Sequence, residues 1–221
     1  MASEHPLRIA YSGTLNGYDP EQQKGKSNWT SWFWTYKYDQ VDDSTRTGYY
    51  FIKAVDLLNK NGSIRPGDLL VDWWGMIHPL NKRQVESYGL QDYFTIDGYI
   101  SKQESLDRLA SADLLFLPLE KARKKGHRTL FIPGKLYEYL KTGKPVLALC
   151  EPSDCRDILE RSGLGLFARP DDPEHIAETL YDLITHPGKL KSLRPDINYV
   201  NSFSFREKTR ELAEILHKLH Q

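Results

Sequence analysis

Residues 131–150 decide the fold, and they read FIPGKLYEYLKTGKPVLALC. The order predicts a loop, a short helix over Lys135–Lys141, a stop at Thr142-Gly143, and a strand over Pro145–Cys150. The strand is apolar at consecutive positions rather than at alternate ones. That pattern is typical of a strand buried on both faces, as in a parallel sheet.

Working outward from this stretch, other apolar runs of strand length recur with helical patterns between them. The predicted strands are Leu7–Gly13, Asp68–Gly75, Tyr93–Ile100, Asp113–Leu119 and Leu164–Ala168. The predicted helices are Tyr49–Asn59, Ser101–Ser111, Asp157–Arg161, Pro173–Thr185 and Phe205–Leu219. Repeated β-α-β units with right-handed crossovers predict a doubly wound, Rossmann-like α/β domain with a parallel sheet of about six strands.

The chain of 221 residues predicts one domain, with a core over about residues 7–200 and a C-terminal helix over about 205–219. One stretch, residues 16–45, has no clear helix or strand period. Two interpretations stay open for it: a loop that packs its own aromatics on the sheet edge, or a surface that touches substrate or a partner domain. Its aromatic residues include Trp29, Trp32, Phe33, Trp34, Tyr36 and Tyr38.

Composition excludes several classes of function. Thirty basic and thirty acidic residues give a formal net charge of zero, so we expect no nucleic-acid partner. The two cysteines, Cys150 and Cys155, indicate reduced thiols, and there is no signal-peptide pattern or long apolar run. We therefore expect a cytoplasmic protein. No Asp-x-Asp pair is placed for a metal, so we expect metal-independent chemistry without a cofactor.

In a doubly wound sheet, ligands lie at the carboxyl ends of the strands. Gly13 ends the first strand, where a glycine lets a ligand approach the backbone, although such a glycine can also serve only as a turn. The helix that opens at Gly134 and Lys135 offers free N–H groups and a positive charge, which suits a phosphate. Glu138, one turn further in, is a candidate for bonding a ribose diol; the alternative is a solvated surface carboxylate.

Glu138–Val146 resembles the donor helix and the G-[KT]-P-V strand entry of family 4 glycosyltransferases, which have the GT-B fold. The resemblance runs from about Leu7 to Leu219, the extent of one C-terminal, donor-binding half of that fold. Weaker similarities with the family's order and spacing occur at Ile9–Leu15, Phe94–Ile100, Leu109–Pro118 and Phe203–Phe205.

The resemblance implies which residues bind a nucleotide-sugar donor. Glu138 matches the glutamate that contacts the ribose, whereas the family's other glutamate falls at Leu130 and is missing. The family's first phosphate cation falls at Thr14 and is also missing; the second is kept as Arg46, unless Arg46 is only a solvated charge. With Lys135, Arg46 is expected to neutralise a diphosphate. The implied donor contacts are Gly13, Thr14, Arg46, Gly98, Tyr99, Gly134, Lys135, Leu136 and Glu138, with Gly98 and Tyr99 bordering the base.

The implied reaction is transfer of a sugar from an NDP-sugar to a hydroxyl of an acceptor sugar, a lipid-linked glycan or a protein, as in polysaccharide biosynthesis. We assign no catalytic residue, because in the family that role tends to come from the N-terminal acceptor domain, which this sequence lacks. Membrane contact is expected only through that absent half, and the isolated domain is expected to be inactive. Two alternatives stay open: a non-catalytic nucleotide-binding regulatory module and a sugar-nucleotide epimerase of the same architecture.

Two further segments have open interpretations. The basic loop 120–128 could steer an anionic donor or a lipid-phosphate acceptor, or it could be a solvated turn. Asp72–Gly75 ends a strand at the ligand edge, and we expect its two tryptophans to be packing residues.

Overall fold

The computed structural model describes residues 5–23, 41–124 and 126–219. Its centre is a parallel sheet of six strands in the order β4-β3-β1-β5-β7-β8. This is the doubly wound order in which the sheet grows outward in both directions from β1. The fold prediction is thus confirmed. The six strands are β1 (Leu7–Leu15), β3 (Leu69–Ile77), β4 (Phe94–Asp97), β5 (Leu114–Pro118), β7 (Val146–Leu149) and β8 (Gly165–Ala168).

Helices cover both faces of the sheet and divide the core into two layers. One layer contains the buried side chains of α2 (Tyr49–Lys60), α3 (Pro79–Ser87) and α7 (Pro173–Thr185). The other contains those of α4 (Lys102–Ser111), α5 (Lys135–Thr142) and α6 (Asp154–Ser162). The C-terminal part of the chain adds α8 (Gly188–Ser192), α9 (Ile197–Asn201) and α10 (Phe205–Leu219).

The helix boundaries follow from capping side chains and glycines. Ser101 caps α4 by accepting a hydrogen bond from the N–H of Glu104 at 3.1 Å. Gly143 and Gly163 end α5 and α6 with φ of 68° and 73°, a conformation that favours glycine. Helix α6 begins at Asp154, earlier than the predicted Asp157, because Ser153 caps it through the N–H of Arg156.

Several short elements were not predicted. A two-stranded antiparallel ladder joins β2 (Val41–Asp42) to β6 (Lys121–Ala122), and α1 (Pro20–Gln23) follows β1. These elements, like α8 and α9, are too short to show a period in the sequence. Helix α3 is mostly polar and offers few apolar positions; its buried residues are Asn81, Gln84 and Val85. The side chain of His78 caps it.

The two tryptophans in the middle of β3 are packing residues, as predicted. Trp73 is fully buried in one layer, where it stacks on Phe116 with ring centroids 5.7 Å apart. Trp74 is buried in the other layer, and its indole N–H donates to Ser105 at 2.8 Å. Cys150 and Cys155 are buried and free.

Helix α10 has the predicted bounds, but its apolar stripe is uncovered. None of its residues is buried, and Leu212, Ile215, Leu216 and Leu219 are each more than half exposed. Within the described residues, no helix is long and apolar enough to cross a membrane. Of the aromatic stretch 16–45, the residues from Trp29 to Tyr38 lie outside the described part of the chain.

Candidate functional site

The strand order reverses between β1 and β5, so the adjoining loops diverge and leave a crevice at the carboxyl edge of the sheet. A row of three glycines crosses the sheet close to this edge. Gly13 and Gly75 do not end their strands as predicted, because β1 and β3 stay paired for two more residues. Gly13 pairs with Gly75 across β1 and β3, and the N–H of Gly75 donates to the carbonyl of Gly98 at 3.0 Å. Gly13 and Gly75 have φ of 130° and 112°, values that side chains disfavour. A Cβ at Gly75 would lie 2.6 Å from the carbonyl oxygen of Gly13.

Lys135 reaches from α5 over the tip of β1. A Cβ added at Gly13 would lie 2.6 Å from its ammonium nitrogen, so a side chain at this position would displace the end of Lys135. The nitrogen is 3.8 Å from the centroid of the Tyr11 ring and donates to the Tyr11 hydroxyl. That hydroxyl in turn donates to the carbonyl of Thr14 at 2.5 Å. The sequence prediction omitted Tyr11 because a tyrosine inside an apolar strand reads as a core residue.

Burial changes the charge of Lys135. Desolvation by burial is the main cause of a pKa lowered to about 7; the positive charge of Arg46 adds to the shift, and the carboxylate of Glu138 opposes it. Near neutral pH the ammonium group of Lys135 is therefore only partly charged in the free protein, where the sequence predicts a full positive charge. Burial raises the pKa of Tyr11, so its hydroxyl remains protonated.

Helix α5 is fastened to the strand tip. The hydroxyl of Tyr139, which is fully buried, accepts a hydrogen bond from the N–H of Ser12 at 3.2 Å. At the start of the helix, the N–H groups of Leu136 and Tyr137 donate to the carbonyls of Pro133 and Gly134. The N–H groups of Gly134 and Lys135 make no backbone hydrogen bond within the described residues.

These hydrogen bonds reduce the number of groups at the start of α5 that can contact a sugar donor. The side chain of Leu136 is fully buried and its N–H is occupied, so it offers nothing to a donor in this structure. Gly134 faces open space. Glu138 is exposed in the first turn of α5 and makes no hydrogen bond or ion pair with any described residue. Its ribose contact stays a prediction.

Arg46 is the second cation that the sequence predicts at this site. Its guanidinium lies 4.9 Å from the centroid of Phe131 and 3.7 Å from the carboxylate of Glu120. The segment before it is held by the ladder of β2 and β6, and by the hydroxyl of Thr45, which donates to the carbonyl of Leu119 at 2.7 Å. Arg46 is partly exposed, and its positive charge contributes to the lowered pKa of Lys135.

The predicted base-binding turn lies two strands away from Gly13. Gly98 follows β4, and Tyr99 is 78% exposed, which leaves its ring free to cover a ligand. Arg108 fixes the end of β4 by donating to Asp97 at 2.6 Å and to Glu104 in the first turn of α4. Thr14 is exposed after Gly13 and brings no charge.

Other features contribute less to this site. In the basic loop, Lys121 pairs with Asp171, while Arg128 pairs with Asp154 and Asp157. These pairs favour a structural role for those cations. Burial raises the pKa of both cysteine thiols to about 12, so neither is a reactive thiolate. Among the described residues, no group of three or more His, Cys, Asp or Glu side chains is placed to hold a metal ion.

The geometry defines a doubly wound α/β domain with a cationic, glycine-lined crevice at its switch point. The family model described as Glycosyl transferases group 1 matches residues 46–186, and the chain belongs to that family. No curated protein matches the sequence.

Solved structures share the fold at low identity. The HepE protein of Anabaena in complex with UDP superimposes with a TM-score of 0.61 and 15% identity, covering 97% of this chain and 49% of that one. The pneumococcal O-GlcNAc transferase GtfA, in complex with UDP and GlcNAc, gives 0.56 and 12%, covering 100% and 38%. Sucrose-phosphate synthase from Thermosynechococcus elongatus gives 0.58 and 16%, covering 98% and 46%. The chain thus has the fold of one GT-B domain and spans half or less of these proteins.

Proposed function

We propose that this chain is the donor-binding domain of a glycosyltransferase that takes its sugar from an NDP-sugar. The observation that carries the proposal is the position of Lys135, which lies over the glycine tip of β1 beside Arg46. Two basic side chains and a glycine backbone that no side chain covers suit a diphosphate at the edge of the sheet where the strand order reverses. Since HepE and GtfA are bound to UDP in their structures, we propose UDP as the nucleotide.

In the proposed reaction, an acceptor hydroxyl attacks the anomeric carbon while the bond to the diphosphate breaks. Negative charge grows on the leaving diphosphate, and Lys135 and Arg46 stabilise it where it develops. The phosphate also makes protonation of Lys135 favourable, because an anion beside a buried ammonium group raises its pKa. Glu138 is proposed to accept hydrogen bonds from the ribose, and the turn at Gly98 and Tyr99 to border the base.

A second domain is proposed to provide the acceptor site. The solved neighbours are about twice as long as this chain or longer, and α10 presents an uncovered apolar stripe suited to such a contact. We expect the chain alone to bind the nucleotide weakly and to transfer no sugar. We expect the second domain to determine which acceptor is used, whether a sugar, a lipid-linked glycan or a protein.

Family membership favours transfer over the two alternatives, a regulatory nucleotide-binding module and an epimerase. The direct test is a thermal-shift series with UDP, GDP, ADP, CDP and TDP. A nucleotide present at 100 times its dissociation constant stabilises the folded state by about 2.7 kcal/mol. We expect stabilisation by UDP above the others. If none of the five raises the melting temperature, the proposed donor site is wrong.

A further inference from the structure

Three polar side chains form a chain of hydrogen bonds next to the glycine row. The indole N–H of Trp74 donates to the hydroxyl of Ser105 at 2.8 Å, and that hydroxyl oxygen lies 3.3 Å from the hydroxyl oxygen of Ser12. Ser12 precedes Gly13 in β1 and pairs with Trp74 across β1 and β3, so both side chains lie on the same face of the sheet. Ser105 lies in the first turn of α4. The chain therefore joins the strand next to Gly13 to the helix that follows the proposed base-binding turn.

The donors and acceptors of this chain do not balance. An indole N–H can only donate, so Ser105 accepts from Trp74. A hydroxyl that accepts a hydrogen bond becomes a better donor, which favours donation from Ser105 to Ser12. The two serines carry two hydroxyl protons, and the bond between them uses one. The other proton, that of Ser12 in this arrangement, has no acceptor among the residues that the structure describes.

The end of the chain at Ser12 is open to the crevice. Ser12 and Ser105 are both half-buried, whereas Trp74 is 2% exposed. The backbone N–H of Ser12 already donates to the buried hydroxyl of Tyr139, so it is not free for a ligand. The hydroxyl of Ser12 is therefore the group that this position can offer to a molecule in the crevice.

The surroundings of this hydroxyl suit a neutral, flat group. Arg108, whose guanidinium lies 5.7 Å from the centroid of the Trp74 ring, donates to Asp97 and to Glu104 at 2.6 and 2.7 Å, so it is already paired. Tyr99, in the turn before α4, is 78% exposed and offers a ring on which a flat group can stack. An uncharged donor near an exposed aromatic ring suits a carbonyl of a heterocycle better than a phosphate, which pairs with cations.

We propose that the hydroxyl of Ser12 donates a hydrogen bond to a carbonyl oxygen of the uracil base. Lys135, beside Gly13, would hold the diphosphate, and the turn at Tyr99 would border the base. The Ser12 hydroxyl would thus meet the nucleotide between these two contacts. This inference deepens the proposed function and rests on it, because it takes UDP as the nucleotide.

Calorimetry of UDP and of uridine with Ser12→Ala tests the contact. Both ligands carry the base, so the affinity of both should fall about three- to tenfold when a neutral hydrogen bond is lost. A lost phosphate contact would weaken UDP alone. Ser111→Ala is the matched control and should change neither, because this hydroxyl lies at the other end of α4 and donates to the carbonyl of Arg108.

The outcomes separate this inference from the proposed function. If the wild type binds UDP and Ser12→Ala binds both ligands as tightly as the wild type does, only the inference is overturned. If the wild type binds no UDP, the proposed function is contradicted and the inference falls with it.

Sulfur analogues of the base show whether Ser12 acts on a carbonyl. 2-Thio-UDP and 4-thio-UDP each replace one base oxygen by sulfur, a weaker acceptor. We expect the wild type to bind one of them more weakly than UDP, and Ser12→Ala to bind that analogue and UDP alike. A general distortion of the site would weaken all three nucleotides equally. The inference is overturned if the wild type discriminates against neither analogue, if Ser12→Ala keeps the wild-type preference, or if Ser12→Ala instead loses a preference for UDP over 2′-deoxy-UDP, which would place the contact on the ribose.

Discussion

The ammonium nitrogen of Lys135 lies 3.8 Å from the centroid of the Tyr11 ring, directly beside the glycine tip of β1. This contact joins α5 to β1, although the two residues are 124 positions apart in the chain. The partly negative face of the Tyr11 ring and the Tyr11 hydroxyl favour the charged form of Lys135, whereas burial favours its neutral form. Tyr11 therefore acts as a positioning residue for the proposed phosphate cation.

Tyr11→Phe tests this role, because it keeps the ring and removes the hydroxyl. Loss of the hydrogen bond should lower the pKa of Lys135 further, so UDP affinity should begin to fall at a lower pH than in the wild type. At neutral pH we expect a loss of about three- to tenfold. Tyr137→Phe, on the exposed side of the same helix, is the matched control. An unchanged pH profile in Tyr11→Phe would show that the hydroxyl is only structural.

The lowered pKa of Lys135 predicts proton uptake on UDP binding. The free protein loses this proton near pH 7, whereas the complex should keep it to higher pH because the diphosphate raises the pKa. Affinity should therefore fall as the pH rises above about 7, by up to tenfold per unit, in a range where the phosphates are already ionised. Calorimetry in buffers of different ionisation enthalpy measures the uptake. Lys135→Arg, whose charge does not titrate here, should flatten the dependence; a slope that persists would assign it to another group.

Gly13→Ala should displace the ammonium group of Lys135 from its position, since the added Cβ would lie 2.6 Å from the ammonium nitrogen. We expect UDP affinity to fall at least about tenfold, together with a stability loss from the φ of 130°. Gly67→Ala is the control, because its φ of 100° also disfavours a side chain but nothing lies within 4 Å of the new atom. That control should lose stability alone. Equal losses of affinity in both variants would mean that the crevice at Gly13 is not the binding site.

Leu216→Ser tests whether the stripe on α10 is truly free in this chain. Leu216 is 52% exposed, so its replacement should change the free energy of unfolding by no more than about 0.5 kcal/mol. Leu159→Ala, in the fully buried part of α6, should cost about 2–5 kcal/mol. Urea denaturation of both variants measures these changes in the free energy of unfolding. A loss well above 1 kcal/mol at Leu216 would show that the stripe is packed within this chain and is not kept for a second domain.

The sequence predicts the sheet well because several strands, such as β5 and β7, are continuous apolar runs, and because glycines and caps mark the helix ends. It also places Gly13 near the edge where the carboxyl ends of parallel strands meet, and Lys135 reaches this glycine in the structure. Arg46 follows from the family resemblance. The sequence cannot supply the contact between Lys135 and Tyr11, which depends on how far a flexible side chain reaches across the strand tip. Nor can it supply the depressed pKa, since desolvation is a property of the packed structure.

The most direct test of the account is calorimetry of UDP and of uridine with Lys135→Ala, Arg46→Ala and the control Lys141→Ala, which removes an exposed cation at the other end of α5. We expect UDP affinity to fall at least about tenfold in the first two variants, with uridine affinity nearly unchanged, because only the diphosphate loses a charged partner. The control should behave as the wild type. Equal losses for UDP and uridine, or no loss at all, would contradict the proposal that these cations hold the diphosphate of a sugar donor.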